Sequence, residues 1–254
     1  MQEELDAIFG FSALTINQSR NIPKASFYEH DDFTNSRKKL FTEDIEKIRI
    51  IAICDKNTIN IEPLVNEDRV YKEIFFLQVE LKDRSNHKKI SEIIHQIIPN
   101  PVVILFTFGN ELLVSAAPKR LSKQEKGKIV VEGEFNSIWV DLKDSNEERK
   151  KFLRNLHLKN FRFDNLYLFY ADITKSVIFS SFIELAETYV FSKNSDLETV
   201  VELSKKLQQV QERLAFHSSE DKRLKNFGDK VANHQKLLDA RAEWNTLKEA
   251  ILAL

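Results

Sequence analysis

Residues 71–110 restrict the fold more than any other part of the sequence. Residues 73–82 alternate as a strand does, with Phe75, Leu77, Val79 and Leu81 on one face and Ile74, Phe76, Gln78, Glu80 and Lys82 on the other. One face is apolar throughout, and the other passes from apolar to charged along its length. Residues 86–98 follow with Ile90, Ile93, Ile94, Ile97 and Ile98 at helical spacing, the stripe expected of a helix laid on a sheet. Ser85 or Asn86 is placed to cap that helix. Pro99 and Pro101 end it, because neither can extend the hydrogen-bond ladder. Residues 102–108 then form a second strand.

The flanking sequence extends this unit. Residues 2–11 suit a short helix and residues 17–29, with Pro23, an extended arm. Thr42 is placed to cap a helix carrying Glu43, Asp44 and Glu46 in its first turn, the sign the helix dipole favours. The apolar run 48–54 reads equally well as a buried strand, since periodicity does not separate the two. Residues 58–62 suit a strand and 63–69 a loop. Beyond the central unit, 111–117, 128–134 and 137–142 suit short strands, with turn residues at Gly109-Asn110 and from Gly133 to Asn136 predicting two hairpins. From residue 146 the pattern turns helical, with segments 146–158 and 164–191. Val200, Leu203, Leu207, Val210 and Leu214, then Leu237, Ala240, Trp244, Leu247, Ile251 and Leu254, predict a helical hairpin joined around residues 217–221. Two heptads per arm do not stand alone in water, so the hairpin needs something to pack on. The fold class is thus α/β (α+β): a mixed sheet with packed helices, whose element order is compatible with a restriction-endonuclease-like core, then a helical part. Domains are expected at 1–145 and 146–254.

Composition narrows the function classes. A formal net charge of −1 gives no global attraction to nucleic acid or membrane. The single cysteine, Cys54, excludes an intramolecular disulfide and a multi-cysteine zinc site, and it fits a reducing cytoplasm. The start is acidic, unlike a signal peptide, and no run approaches about 18 consecutive apolar residues, so no membrane span is expected. Residues 196–254 carry ten acidic and ten basic residues, a balanced solvated surface.

Chemistry is hinted at in one place. Glu80-Leu81-Lys82 matches the Glu-x-Lys pair of metal-dependent nucleases, in which carboxylates hold Mg²⁺ and the lysine orients the attacking water. The two-residue spacing puts Glu80 and Lys82 on one face of the strand. Glu43 or Glu46 is the candidate helix carboxylate, and Asp68 or Glu62 the candidate strand acid, so the catalytic set would be Glu80, Lys82, Asp68 and Glu46, with Glu80 and Asp68 on the metal. Two basic clusters could contact phosphates: Arg84, Lys88 and Lys89 in the first, Lys119, Arg120 and Lys123 in the second. Against this, a strand leaving a sheet gains charge in any fold, and Asp68 lies in a loop-like stretch. The histidines lack metal-ligand spacing, His95 is expected on a solvated helix face, and the Phe-rich segments are expected in the core.

Several segments together resemble a family of uncharacterised bacterial and archaeal proteins, domain-of-unknown-function family 4391. They are Asn21-Ile22-Pro23-Lys24 with Phe27-Tyr28-Glu29, Phe41-Thr42-Glu43-Asp44-Ile45-Glu46-Lys47-Ile48, Asn57-Thr58-Ile59-Asn60-Ile61, the strand from Glu73 to Lys82, and Ile97-Ile98-Pro99 leading to Val103-Ile104-Leu105-Phe106. Ile53-Cys54-Asp55-Lys56 departs from the aromatic-Lys-Leu-Ser run expected there. The resemblance implies no assigned activity. It implies a setting in prokaryotic genome-defence clusters, beside helicases and DNA methyltransferases.

The resulting expectation is a cytoplasmic, non-catalytic accessory subunit of an antiviral or restriction-like system. It would bind a helicase or methyltransferase, or a second copy of itself, and DNA as a further possible ligand, without membrane contact and without a cofactor. The rivals are a Mg²⁺-dependent nuclease and a nucleic-acid-binding module without catalysis.

Overall fold

The structure, a computed structural model, describes residues 1–12, 17–30, 33–221 and 223–254, with the side chains of 17–19 also left aside. Two compact units make up the chain, 1–189 and 190–254. The first is built on a seven-stranded mixed sheet. Helix α1 (Gln2–Phe9) ends at Gly10, whose left-handed conformation and contact with the His157 ring leave no room for a Cβ. Strand β1 (Asn17–Asn21) and the short helix α2 (Ala25–Tyr28) occupy the segment expected to be an extended arm.

Helix α3 (Asn35–Asp44) is capped by Thr34 and ends where the sequence reading began its helix. Thr42 instead donates its hydroxyl back to the Lys38 carbonyl within the same helix. From Ile45 the β-branched run takes over as β2 (Ile45–Asp55), because it pairs on both sides, with β1 and with β5. At its far end Asp55 accepts from the backbone N–H groups of Asn57 and Thr58, while Thr58 accepts from that of Asp55. This capping box makes α4 (Lys56–Ile59) a helix where a strand was expected. The expected loop holds a small hairpin, β3 (Leu64–Val65) and β4 (Val70–Tyr71).

Strand β5 (Glu73–Leu81) sits between β2, antiparallel, and β6 (Val102–Phe108), parallel. Helix α5 (His87–Ile97) makes the crossover. Its Ile90, Ile93 and Ile94 are buried against Leu77, Val79, Leu81, Ile104 and Phe106, with Phe27, Phe33 and Phe41 in the same core. Burying one such side chain contributes roughly 1.5–3 kcal/mol, so the isoleucine stripe dominates this face. Strand β7 (Glu111–Ala116) returns antiparallel to β6 through Gly109, which takes the positive φ the turn requires.

The later pairing differs from the expected hairpins. Strand β8 (Lys119–Leu121) pairs with β9 (Ile129–Val131) in a separate ribbon, and β10 (Phe135–Asn136) and β11 (Val140–Asp141) both pair with β7. Helix α6 (Glu147–Asn155) is capped by Asn146, and a 3-10 turn (Leu158–Asn160) leads to α7 (Leu166–Ser180) and α8 (Phe182–Ala186). The segment Leu166–Ala186 is long and apolar enough to cross a membrane, but 83% of its most apolar window is buried inside the protein. Tyr170 on α7 ties it to the sheet, donating to the Val102 carbonyl at 2.7 Å and accepting from the Ala117 N–H at 2.8 Å. Helices α6 and α7 therefore belong with the sheet, in the unit that ends at Tyr189.

The second unit is an antiparallel hairpin of α9 (Leu197–Asp221) and α10 (Phe227–Leu252). Residues 217–221 continue α9, so the turn falls after them, and Asn226 caps α10 by accepting from the Gly228 N–H. Leu207, Val210, Leu237 and Ala240 are buried. His217 and Asn233 bond across the pair at 2.8 Å, and Asn233 donates to the His217 carbonyl at 2.9 Å, a polar pair that fixes register.

Candidate functional site

The residues singled out by sequence fall at opposite ends of the central sheet. Glu80 lies seven residues along β5 from Glu73, a span of about 23 Å at strand rise. Asp68 belongs with the Glu73 end. Its carbonyl accepts from the Leu121 N–H at 2.7 Å, the neighbouring Lys119 reaches the Asn100 carbonyl at 2.8 Å, and the Asn100 amide bonds Glu73 at 2.8 Å. Glu62 is held there too, 2.8 Å from Lys56. Neither acid meets Glu80. The expected pairing of Asp68 with Glu80 on one metal is not assembled, because the β3–β4 hairpin precedes the strand at whose other end Glu80 sits.

At the Glu80 end a different set converges. Since β2 is antiparallel to β5, its first residues lie beside the last residues of β5, with Lys47 opposite Glu80 and Ile45 opposite Leu81. Glu46 comes within 3.6 Å of the Lys82 ammonium, which also reaches the Thr42 carbonyl at 3.4 Å. Glu80 faces Arg49 at 3.6 Å. Lys24 enters from the segment before α2 and donates to the Ile45 carbonyl. Partial burial, and then repulsion by Lys82, lower its pKa, while Glu46 opposes that shift. Asp44 is 9% exposed and accepts from the Asn86 amide at 2.8 Å, while its carbonyl accepts from the Lys82 N–H at 2.7 Å. Glu43 is exposed, 3.8 Å from Lys39, and lines one hollow with Asp44, Asn86 and Lys89.

The two carboxylates here each face a cation rather than one another. Among the described residues no three His, Cys, Asp or Glu side chains converge to hold a metal ion. As arranged, the donors do not form a magnesium cradle, since a Mg²⁺ ion would have to displace Arg49 and Lys82 from its ligands.

The basic clusters separate in the same way. Arg84, Lys88 and Lys89 lie at the Glu80 end. The Arg84 guanidinium packs 5.5 Å from the Trp139 ring and 5.9 Å from Phe108, and pairs with Glu111. Lys88 and Lys89 are exposed on the first turn of α5. At the other end Lys119 is 3% exposed, which corrects its expected role as a phosphate contact. Its ammonium donates to the Ile98 and Asn100 carbonyls, and burial lowers its pKa to about 7. Arg120 is turned to Glu132 at 3.7 Å and to the Leu121 carbonyl, leaving Lys123 exposed in the β8–β9 turn. His95 is buried, not solvated. Its Nε2 bonds the Ser115 hydroxyl at 3.1 Å, and burial, then Lys119, hold its pKa well below the usual histidine range. Cys54 is buried and its thiol pKa is pushed up by burial.

A family model, Domain of unknown function (DUF4391), matches residues 14–243. The chain belongs to this family. No curated protein and no solved structure matches it. The matched span includes every residue of the Glu80 end of the sheet and most of the hairpin. Of that cluster, sequence reasoning nominated Glu46, Glu80 and Lys82 but missed Lys24, Asp44 and Arg49 as site members. Lys24 and Asp44 stand in segments that carry the DUF4391 resemblance, which was the available signal. Arg49 follows from the register of β2 on β5 alone.

Proposed function

We propose that this DUF4391 protein is an accessory, non-catalytic subunit of a bacterial antiviral or restriction-like assembly, docking a protein partner on its C-terminal hairpin. The observation that carries this is the composition of the helix ends flanking the hairpin turn. Phe216 is 59%, Phe227 81% and Val231 53% exposed, the three most exposed large apolar side chains of a unit that also exposes Leu238 and Leu252. Apolar side chains gathered into one exposed patch mark interaction sites, whereas single scattered ones do not. The ion-paired carboxylates at the Glu80 end support a role without catalysis, and the family resemblance supplies the setting.

Co-expression with a helicase or methyltransferase encoded beside the gene tests the reading. The intact chain should co-elute with that partner on size exclusion, and Phe216→Asp with Phe227→Asp should release it while leaving the helical signal unchanged. A chain that stays monomeric beside each such neighbour rejects the proposal.

The nuclease reading keeps one supporting observation: Glu46 lies 3.6 Å from Lys82, two residues beyond Glu80, on the strand next to β5. Divalent-metal-dependent DNA cleavage abolished by Glu80→Ala would establish it, and its absence with Mg²⁺ and Mn²⁺ would dispose of it.

A further inference from the structure

Helix α10 carries apolar residues on two opposite faces. Leu237, Ala240 and Ile251 are buried in the seam with α9, where Asn233 also bonds His217. Val231 stands two residues before Asn233 and Leu238 two before Ala240, about 200° round the helix in each case, and both are exposed. Of the five large apolar side chains that the hairpin exposes, four are on α10: Phe227, Val231, Leu238 and Leu252. They are not scattered. Positions 231, 238, 245 and 252 recur at intervals of seven, with Asn245 filling the third, and Phe227 lies one turn before the first. That interval keeps a row on one side of a helix, here for about 31 Å.

The neighbouring row is cationic. His234, Arg241 and Lys248 recur at the same interval, and Lys230 stands on the same border. Among the described residues the ion pair that α10 makes is Glu243 with Arg213 of α9, on the far border. Asp239 lies on that far border too and takes the Gln235 amide at 2.9 Å. Helical position puts Asp229 toward α9 and leaves Glu249 as the acid next to the apolar row. The residues of α9 that border the cations, Gln208, Gln211 and Ser218, are uncharged. Lys230, Arg241 and Lys248 against Glu249 therefore leave the outward face of α10 positive along one edge of its apolar row.

We propose that the outward face of α10 docks an amphipathic helix of a partner protein, its apolar stripe on Val231, Leu238 and Leu252 and a row of carboxylates along Arg241 and Lys248. A straight row at heptad spacing is what the seam of a second helix meets, and the bordering charge selects which helix. One large apolar residue per heptad is too narrow a stripe for two such faces to hold each other, and their cations would repel in an antiparallel pairing. The occupant must therefore bring the wider apolar stripe and the opposite charge. This rests on the reading of the hairpin as a docking unit and names the chemistry of what docks there.

The test titrates the full-length chain into two labelled designed helices of about four heptads, both with leucine at a and d, one with glutamate and the other with lysine at e and g. Fluorescence anisotropy at about 50 mM salt should show the glutamate helix binding roughly tenfold tighter than its lysine twin, with the gap closing as salt approaches about 1 M. Arg241→Glu with Lys248→Glu should reverse the preference. Leu238→Asp should weaken binding of the glutamate helix roughly tenfold while the helical signal of the chain stays unchanged, since Leu238 faces away from α9. Equal affinity for the twins, or a preference that the double charge variant leaves unchanged, overturns the proposal and leaves docking at Phe216 and Phe227 to be judged by co-elution with the encoded neighbour. Binding of neither helix beside a neighbour that does co-elute overturns it as well. Self-association of the chain alone that Leu238→Asp abolishes would give this face to a second copy and likewise overturn it.

Discussion

The two ends of the central sheet carry similar residues and use them oppositely. At the Glu73 end, Arg69 packs over Tyr167 at 4.6 Å and pairs with Glu132. Tyr71 takes the Lys119 N–H at 2.9 Å, and Lys119 itself is buried on two carbonyls. At the Glu80 end the paired charges stand 3.6 Å apart, and all but Arg49 are about half exposed. Buried polar groups are costly unless satisfied internally, so the first end is fixed largely by its own hydrogen bonds. Exposed pairs at such distances contribute little to stability and exchange partners readily. A lysine in one cluster closes the fold, while a lysine in the other stays available. The sequence around each looks alike.

The contrast can be broken most forcefully at Tyr170, which is fully buried and holds α7 on the Glu73 side of the sheet. Tyr170→Ala should cost roughly 3–5 kcal/mol in urea unfolding, from the cavity and two orphaned backbone groups. A loss below 1 kcal/mol, on the order of a surface substitution, would mean this end is not the rigid one.

The pH dependence follows from Lys119. Its folded pKa, about 7, lies below its ordinary 10.5, so between these values the unfolded chain binds the extra proton. Stability should therefore rise with pH across that window, by roughly 2 kcal/mol between about pH 7 and 9. Buried His95 adds the same sign at lower pH, since its pKa is depressed from 6.5 and stability falls as acid protonates the unfolded chain first. The raised Glu134 carboxyl opposes this just above its ordinary 4.5. Thermal melts should show the alkaline rise in the wild type and a flat profile in Lys119→Met.

Tyr71→Phe should cost a further sharpening amount, about 1–2 kcal/mol, because the Lys119 N–H loses its buried acceptor. The smallest effect belongs to the open end. Glu80→Gln should change stability by under about 1 kcal/mol, as its partner Arg49 is only 20% exposed but Glu80 itself is 45% exposed. A larger loss would place Glu80 among the structural residues.

The sequence was most legible where period and burial agree. The alternation of residues 73–82 and the isoleucine stripe of α5 placed the central unit within a residue or two, and the turn at Gly109 and the hairpin arms followed. It was least legible where a short side-chain motif outweighed periodicity. Asp55 with Thr58 made a helix from a strand-like run, and Thr34 moved the start of α3 eight residues upstream of Thr42. The site was half legible, for a topological reason. Spacing along one strand puts Glu80 and Lys82 together, but which acid joins them depends on strand pairing. That pairing brought Glu46, Lys24 and Arg49, and left Asp68 at the other end.

Double-mutant cycles in urea unfolding examine both ends at once. The contrast predicts a coupling above about 1 kcal/mol between Arg69 and Glu132, which are 15% and 29% exposed, and below about 0.5 kcal/mol between Lys82 and Glu46, which are 46% and 58% exposed. Equal couplings, or the larger one between Lys82 and Glu46, would contradict it.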